Sequence, residues 1–302
     1  MKVVQIIGPS YSGSTVLGYI LNTKKNWFFG SEVYRLLDDH LSAPGKKGKP
    51  NPQCDFCGET CEFWNSSLKN LVLENKTNSL DDVYRWFSER NPDQEVFVDG
   101  SKSLRWFSGN EKDYQIVTAK HPVRLLASFL YNERKKSGYN EESIEGFGRY
   151  VDDNVDWFFK RSVLVLRRVV NNYKEVFEKF PDAFVCKMDE LHCDEFLEMR
   201  KLEQYLNVEE KSFDVFNFSQ YEVHPLGGNR APYWQAMHSK GKKESFGERD
   251  SYYNNAESFG DYKIDNKFFH IVTKSLGERV GKSSEYQELS DILGYETTFP
   301  SE

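Results

Sequence analysis

Residues 8–15 read Gly8-Pro9-Ser10-Tyr11-Ser12-Gly13-Ser14-Thr15, with two glycines five apart and hydroxyl side chains at Ser12, Ser14 and Thr15. The β-branched run Lys2 to Ile7 precedes them, and the apolar helical run Val16 to Leu21 follows. Strand, glycine turn and helix start together form a cradle in which backbone N–H groups and the positive end of the helix dipole converge on an anion, above all a phosphate. The spacing nearly satisfies the P-loop pattern, except that Ser14 stands where the lysine belongs. A loop without that lysine is poorly equipped to stabilise charge on a transferred γ-phosphoryl group, which disfavours ATP or GTP hydrolysis.

Other stretches carry chemistry further along. The apolar run Tyr114 to Ala119 ends in Lys120-His121-Pro122, with Arg124 and Ser128 beyond. Proline suits a first helical turn, so a helix beginning at Pro122 would carry Arg124 and Ser128 on one face, four residues apart. Val98-Asp99-Gly100-Ser101-Lys102 closes another short apolar run, and Trp27-Phe28-Phe29-Gly30-Ser31-Glu32 places a lone carboxylate soon after the first helix. A polar segment, His224-Pro225-Leu226-Gly227-Gly228-Asn229-Arg230, comes much later.

Together these resemble the sulfotransferases that use 3′-phosphoadenosine 5′-phosphosulfate (PAPS), in particular their bacterial-type branch. Ser12-Gly13-Ser14-Thr15 looks like the family's 5′-phosphosulfate loop, Lys120 and Ser128 match its 3′-phosphate motif with Lys in place of Arg, and the Asp99 to Lys102 strand end and Gly228-Asn229-Arg230 loop follow in the family's order. The resemblance implies a P-loop-like α/β fold and transfer of a sulfuryl group from PAPS to a hydroxyl or amine of a small-molecule, sugar or lipid acceptor, with PAP as product and no metal required. It implies donor binding by residues 11–15, Lys120, Ser128 and residues 228–230, and a general base at Glu32, the glutamate of the family's Gly-Glu segment; Arg124, on the helical face of Ser128, could supplement Lys120. His40 and His121 are alternative bases, since imidazole is poised near neutral pH. The family usually has a basic residue where this chain has Tyr11. Either another cation serves the leaving 5′-phosphate, for which Lys102 is the candidate, or the loop relies on its amides. A P-loop kinase or NTPase, and a catalytically inactive PAP-binding protein, are the rival readings.

Cys54, Cys57 and Cys61 give a Cys-x2-Cys-x3-Cys spacing closed by Phe63-Trp64. Structural zinc normally takes four ligands, and no second Cys or His pair lies nearby in sequence. A Cys-rich segment ending in Phe-Trp also occurs in the bacterial-type sulfotransferases, so the cluster is assigned to the family pattern and no metal ligand is expected.

The elements that position these groups read as an α/β fold, a parallel sheet flanked by helices, in one domain with an insertion at about residues 42–63 and a helical C-terminal half. Short apolar runs at 2–7, 95–99, 114–120 and 183–188 are candidate strands. Apolar residues recur at helical spacing from 143 to 180, as one long helix or a helical pair. The 302 residues carry a net charge of −7, so no overall basic field exists for non-specific nucleic-acid binding and any anion site is local. The N-terminal run has too few apolar residues for a signal peptide and no spanning segment is evident, so a cytoplasmic location is expected. Tyr233, Trp234, Phe246, Tyr252 and Tyr253 are candidates to line an acceptor pocket.

Overall fold

The structure is a computed structural model that describes residues 1–37, 54, 57, 60–64, 79–104, 107, 114–139, 144–191, 196–218, 221–226 and 271–297. The strands are β1 (Lys2–Ile7), β2 (Trp27–Ser31), β3 (Val96–Lys102), β4 (Tyr114–Ala119) and β5 (Phe184–Lys187). They form one sheet in the order β2-β3-β1-β4-β5, every pair parallel. Both faces are covered, as a parallel sheet requires. The strands are therefore almost continuously apolar, and side-chain alternation sends their residues into two cores. Val3, Ile7, Phe28 and Phe97 enter one; Val4, Ile6, Phe29, Val96 and Val98 enter the other.

The second core is closed by α1 (Ser14–Leu21) and by α6 (Leu197–Tyr205). The first is closed by α2 (Leu80–Arg90), α3 (Pro122–Glu133), the pair α4 (Ile144–Asp153) and α5 (Val155–Lys179), and the C-terminal α7 (Lys274–Gly281) and α8 (Ser284–Leu293). The helical stretch expected over 143–180 is thus a pair, divided at Asn154. The strand expected over 95–99 runs on to Lys102, which lengthens β3 just far enough to bring that lysine beside β1. Among the described residues no helix is long and apolar enough to cross a membrane.

Strand order decides where a ligand fits. The chain leaves β1 toward β2 on one side and leaves β4 toward β5 on the other, so a crevice opens between β1 and β4 at the carboxyl end of the sheet.

Candidate active site

The loop after β1 lies at that crevice. Gly13 precedes α1 in the left-handed region (φ 96°) and, as its N-cap, has no side chain to cap the helix, whose first-turn amides open toward the loop. A Cβ at Gly13 would stand 2.9 Å from Met188 Cγ, so glycine is needed for both conformation and space. Ser12 is fully buried, and its Oγ lies 2.7 Å from Thr118 Oγ1 of β4, while the Thr118 hydroxyl donates to the Ile7 carbonyl (3.2 Å). The Ser12 backbone N–H donates to Pro9 O. Ser12 thus ties the loop across the crevice to β4, a role the hydroxyl pattern alone did not reveal. Ser14 and Thr15 are buried at the helix start, and Tyr11, at φ 71°, is 44% exposed.

Across the crevice, Lys120 follows β4. Its Nζ donates to Ser128 Oγ (3.3 Å), so the structure brings together the two residues matched to the 3′-phosphate motif. Burial pushes the Lys120 ammonium below the usual lysine range, and Arg124 adds to this against the opposing pull of Asp189. Arg124 Nη1 donates to Asp189 Oδ1 at 2.6 Å, and the His121 backbone N–H donates to Asp189 Oδ2. Asp189, just past β5, was missed in the sequence; it holds both the start of α3 and the Arg124 guanidinium. His121 accepts from the Val123 N–H through Nδ1 (3.3 Å) as the cap of α3, and burial lowers its pKa, which favours a neutral ring. Its role in the structure is to start a helix.

On the far side of β1, Glu32 and Lys102 meet. Lys102 Nζ lies 2.8 Å from Glu32 Oε1, and the Arg35 Nε donates to Oε2 at 2.7 Å. Burial opposes charge on this carboxyl but is outweighed by Lys102 and Arg35, which hold it below the usual glutamate range. The Lys102 backbone, at φ 66°, accepts from the Gly8 N–H (3.3 Å), so the lysine borders the loop after β1. Beneath them Asp99 is fully buried and receives the Tyr84 hydroxyl (2.5 Å), the Ser101 N–H (2.7 Å) and the Ser101 hydroxyl (2.5 Å). Burial outweighs these donors and pushes Asp99 up to about 6. Ser101 Oγ in turn accepts from the Tyr34 N–H (3.0 Å), fixing the turn that begins at Glu32. Asp99 and Ser101 are therefore the support under the Glu32 turn.

Read along the sheet edge, Glu32, Lys102, the loop and Lys120 follow β2, β3, β1 and β4 in spatial order. Adjacent strands lie about 4.8 Å apart, so the row from Glu32 to Lys120 spans roughly 14 Å. Gly228, Asn229, Arg230, His40 and the aromatic residues proposed for an acceptor pocket lie outside the described residues.

The cysteines also acquire a partner. Cys57 Sγ, Cys61 Sγ and Cys54 Sγ lie 3.4, 3.5 and 4.0 Å from His224 Nδ1. Sequence spacing left this group a donor short, because His224 lies 163 residues beyond Cys61.

No family profile and no curated protein sequence matches this chain. Solved structures do. The sulfotransferase domain from the curacin biosynthetic pathway is 16% identical over 98% of each chain, with a TM-score of 0.55. The sulfotransferase domain from the Synechococcus PCC 7002 olefin synthase is 13% identical over 85% of this chain and 94% of that one, with a TM-score of 0.44. The first likeness is one of architecture: this chain has an α/β fold of the sulfotransferase kind.

Proposed function

We propose that this protein transfers a sulfuryl group from PAPS to a hydroxyl or amine of a small acceptor. One observation carries the reading: Lys120 and Ser128 meet at the end of β4, beside a helix-start loop that lacks the P-loop lysine. Two anion sites on neighbouring strands suit a nucleotide with phosphate at both its 5′ and 3′ ends, which ATP lacks. The likeness in fold to the curacin sulfotransferase domain supports the same reading.

In this reading the 5′-phosphosulfate lies on the first-turn amides of α1 with Ser14 and Thr15, and the 3′-phosphate takes the ammonium of Lys120 and the hydroxyl of Ser128. Bringing a dianion beside Lys120 offsets the burial that otherwise disfavours its charge. Arg124 contributes by anchoring to Asp189 and orienting α3. The acceptor oxygen attacks sulfur as the bond from sulfur to the bridging phosphate oxygen breaks, and the acceptor proton passes to Glu32. The electron pair of the broken bond stays on the 5′-phosphate of PAP. Lys102 would follow that charge in this reading, supported by its position bordering the loop and by a flexible stem that could carry the ammonium from Glu32 toward the departing oxygen. That shift also frees one oxygen of Glu32 for the acceptor.

The test is transfer of radiolabelled sulfate from PAPS into a metabolite extract, with mass spectrometry of the products. Labelled product from wild-type protein, absent with Glu32→Gln, is expected. Binding of PAP with no transfer to any acceptor fraction would instead favour a non-catalytic binding protein, and magnesium-dependent nucleotide hydrolysis would favour an NTPase.

A further inference from the structure

We propose that Cys54, Cys57, Cys61 and His224 form a structural zinc site, independent of the sulfuryl-transfer chemistry. The four donor atoms all lie within 4.8 Å of one another. A tetrahedral ion with Zn–S of about 2.3 Å and Zn–N of about 2.0–2.1 Å sets each sulfur about 3.6 Å from the nitrogen. The observed distances of 3.4, 3.5 and 4.0 Å bracket that value. All three cysteines are free thiols. Three thiolates with one imidazole is a frequent donor set for structural zinc, and four protein ligands close the shell, leaving no position for a reacting water.

The surroundings fit a ligand role. His224 turns Nδ1 to the sulfurs while Nε2 lies 3.5 Å from Glu222 Oε1, the carboxylate contact that fixes the tautomer of a metal-bound histidine. The Cys57 N–H donates to Cys54 Sγ at 3.4 Å, and the Trp64 indole donates to the His224 carbonyl at 2.5 Å. The ring of His224 packs on Phe63 at 4.5 Å, and Phe63 and Trp64 pack on Phe28 of β2.

The consequence is a staple. The ion would join the insertion to segment 221–226, whose Leu226 N–H donates to the Gly30 carbonyl at the end of β2, two residues before Glu32. A distant loop and the strand leading to the candidate base are thereby held together.

The full-length protein, expressed in zinc-replete medium and purified under reducing conditions without added metal, is assayed for bound metal by plasma mass spectrometry. About one zinc per chain is expected. Exchange for cobalt should give a thiolate charge-transfer band in the near ultraviolet and the intense visible bands of a tetrahedral ion. His224→Cys should keep the metal and raise the charge-transfer absorbance by about one third, one thiolate added to three. His224→Ala should weaken zinc affinity by at least about 10-fold, measured against a competing chelator. If His224→Ala fails to fold, the His224→Cys spectrum still decides. Metal-free wild-type protein that gives no charge-transfer band with cobalt would overturn the site. So would a cobalt spectrum unchanged in His224→Cys. Zinc content is read without PAPS or acceptor, so it stands or falls apart from the proposed reaction.

Discussion

Glu32 lies between Lys102 and Arg35, and this bears on its proposed role as base. Both cations lower its pKa against the opposing effect of burial, so it is ionised throughout the neutral range and ready to accept a proton. The same contacts make it a weak base until one cation moves away, which the departing phosphate charge would draw Lys102 to do. Replacing Glu32 with Gln keeps the shape and removes the proton acceptor. Turnover is expected to fall by roughly 10²- to 10⁴-fold with PAP affinity nearly unchanged, and near-normal turnover would remove Glu32 from the mechanism. The pH profile tests the coupling separately. Lys102 lowers the Glu32 pKa, so removing its charge should move the acid limb of kcat/KM to higher pH in Lys102→Ala. An acid limb that stays in place would mean that it reports a different group.

The candidate phosphate loop depends on the junction of β1 with α1. Gly13 occupies a left-handed conformation against Met188, and Ser12 locks the loop to Thr118 of β4. Gly13→Ala should destabilise the fold by roughly 1–3 kcal/mol, since it adds strain at a positive φ and a steric clash with Met188. It should also weaken PAP binding by displacing the helix start. Adding Met188→Ala should relieve the clash without restoring the backbone, so thermal melts of the single and double variants separate the two causes. A Gly13→Ala protein with unchanged melting and PAP affinity would show that the junction tolerates another geometry. On the other side of the crevice α3 begins under two local constraints, Pro122 in its first turn and the His121 cap, and one distant one, Asp189 on the His121 N–H and on Arg124. The proline was readable in the sequence. Asp189 was not, because the aspartate lies 65 residues beyond Arg124 and meets it only after β5 pairs with β4.

For the molecule as a whole, the same distinction governs what the sequence revealed. β1, β4 and β5 announce themselves as short β-branched or apolar runs, and the helical pair over 144–179 by its apolar spacing, because these signals are local. Glu32, one residue past the edge strand β2 (Trp27–Ser31), is singled out through the family resemblance of its Gly-Glu segment and not through strand order, which the sequence pattern does not carry. The Ser12 to Thr118 contact, the Lys102 to Glu32 pair and the approach of His224 to the cysteines span 106, 70 and 163 or more residues, and strand order is likewise set by distant pairings. Sequence pattern carries no direct signal for such pairs. Folding places Glu32, Lys102, the loop after β1 and Lys120 at successive strand ends, and the central proposal built on that arrangement is that Lys120 and Ser128 recognise a 3′-phosphate. Calorimetry with PAP and AMP, on wild type and on Lys120→Ala combined with Ser128→Ala, measures it directly. Hydrogen bonds to charged groups contribute roughly 1.5–3 kcal/mol each, so wild type should prefer PAP over AMP by about 10²- to 10⁴-fold. The double variant should lose that preference while binding AMP nearly as before. Wild-type protein that binds AMP as tightly as PAP would contradict the account.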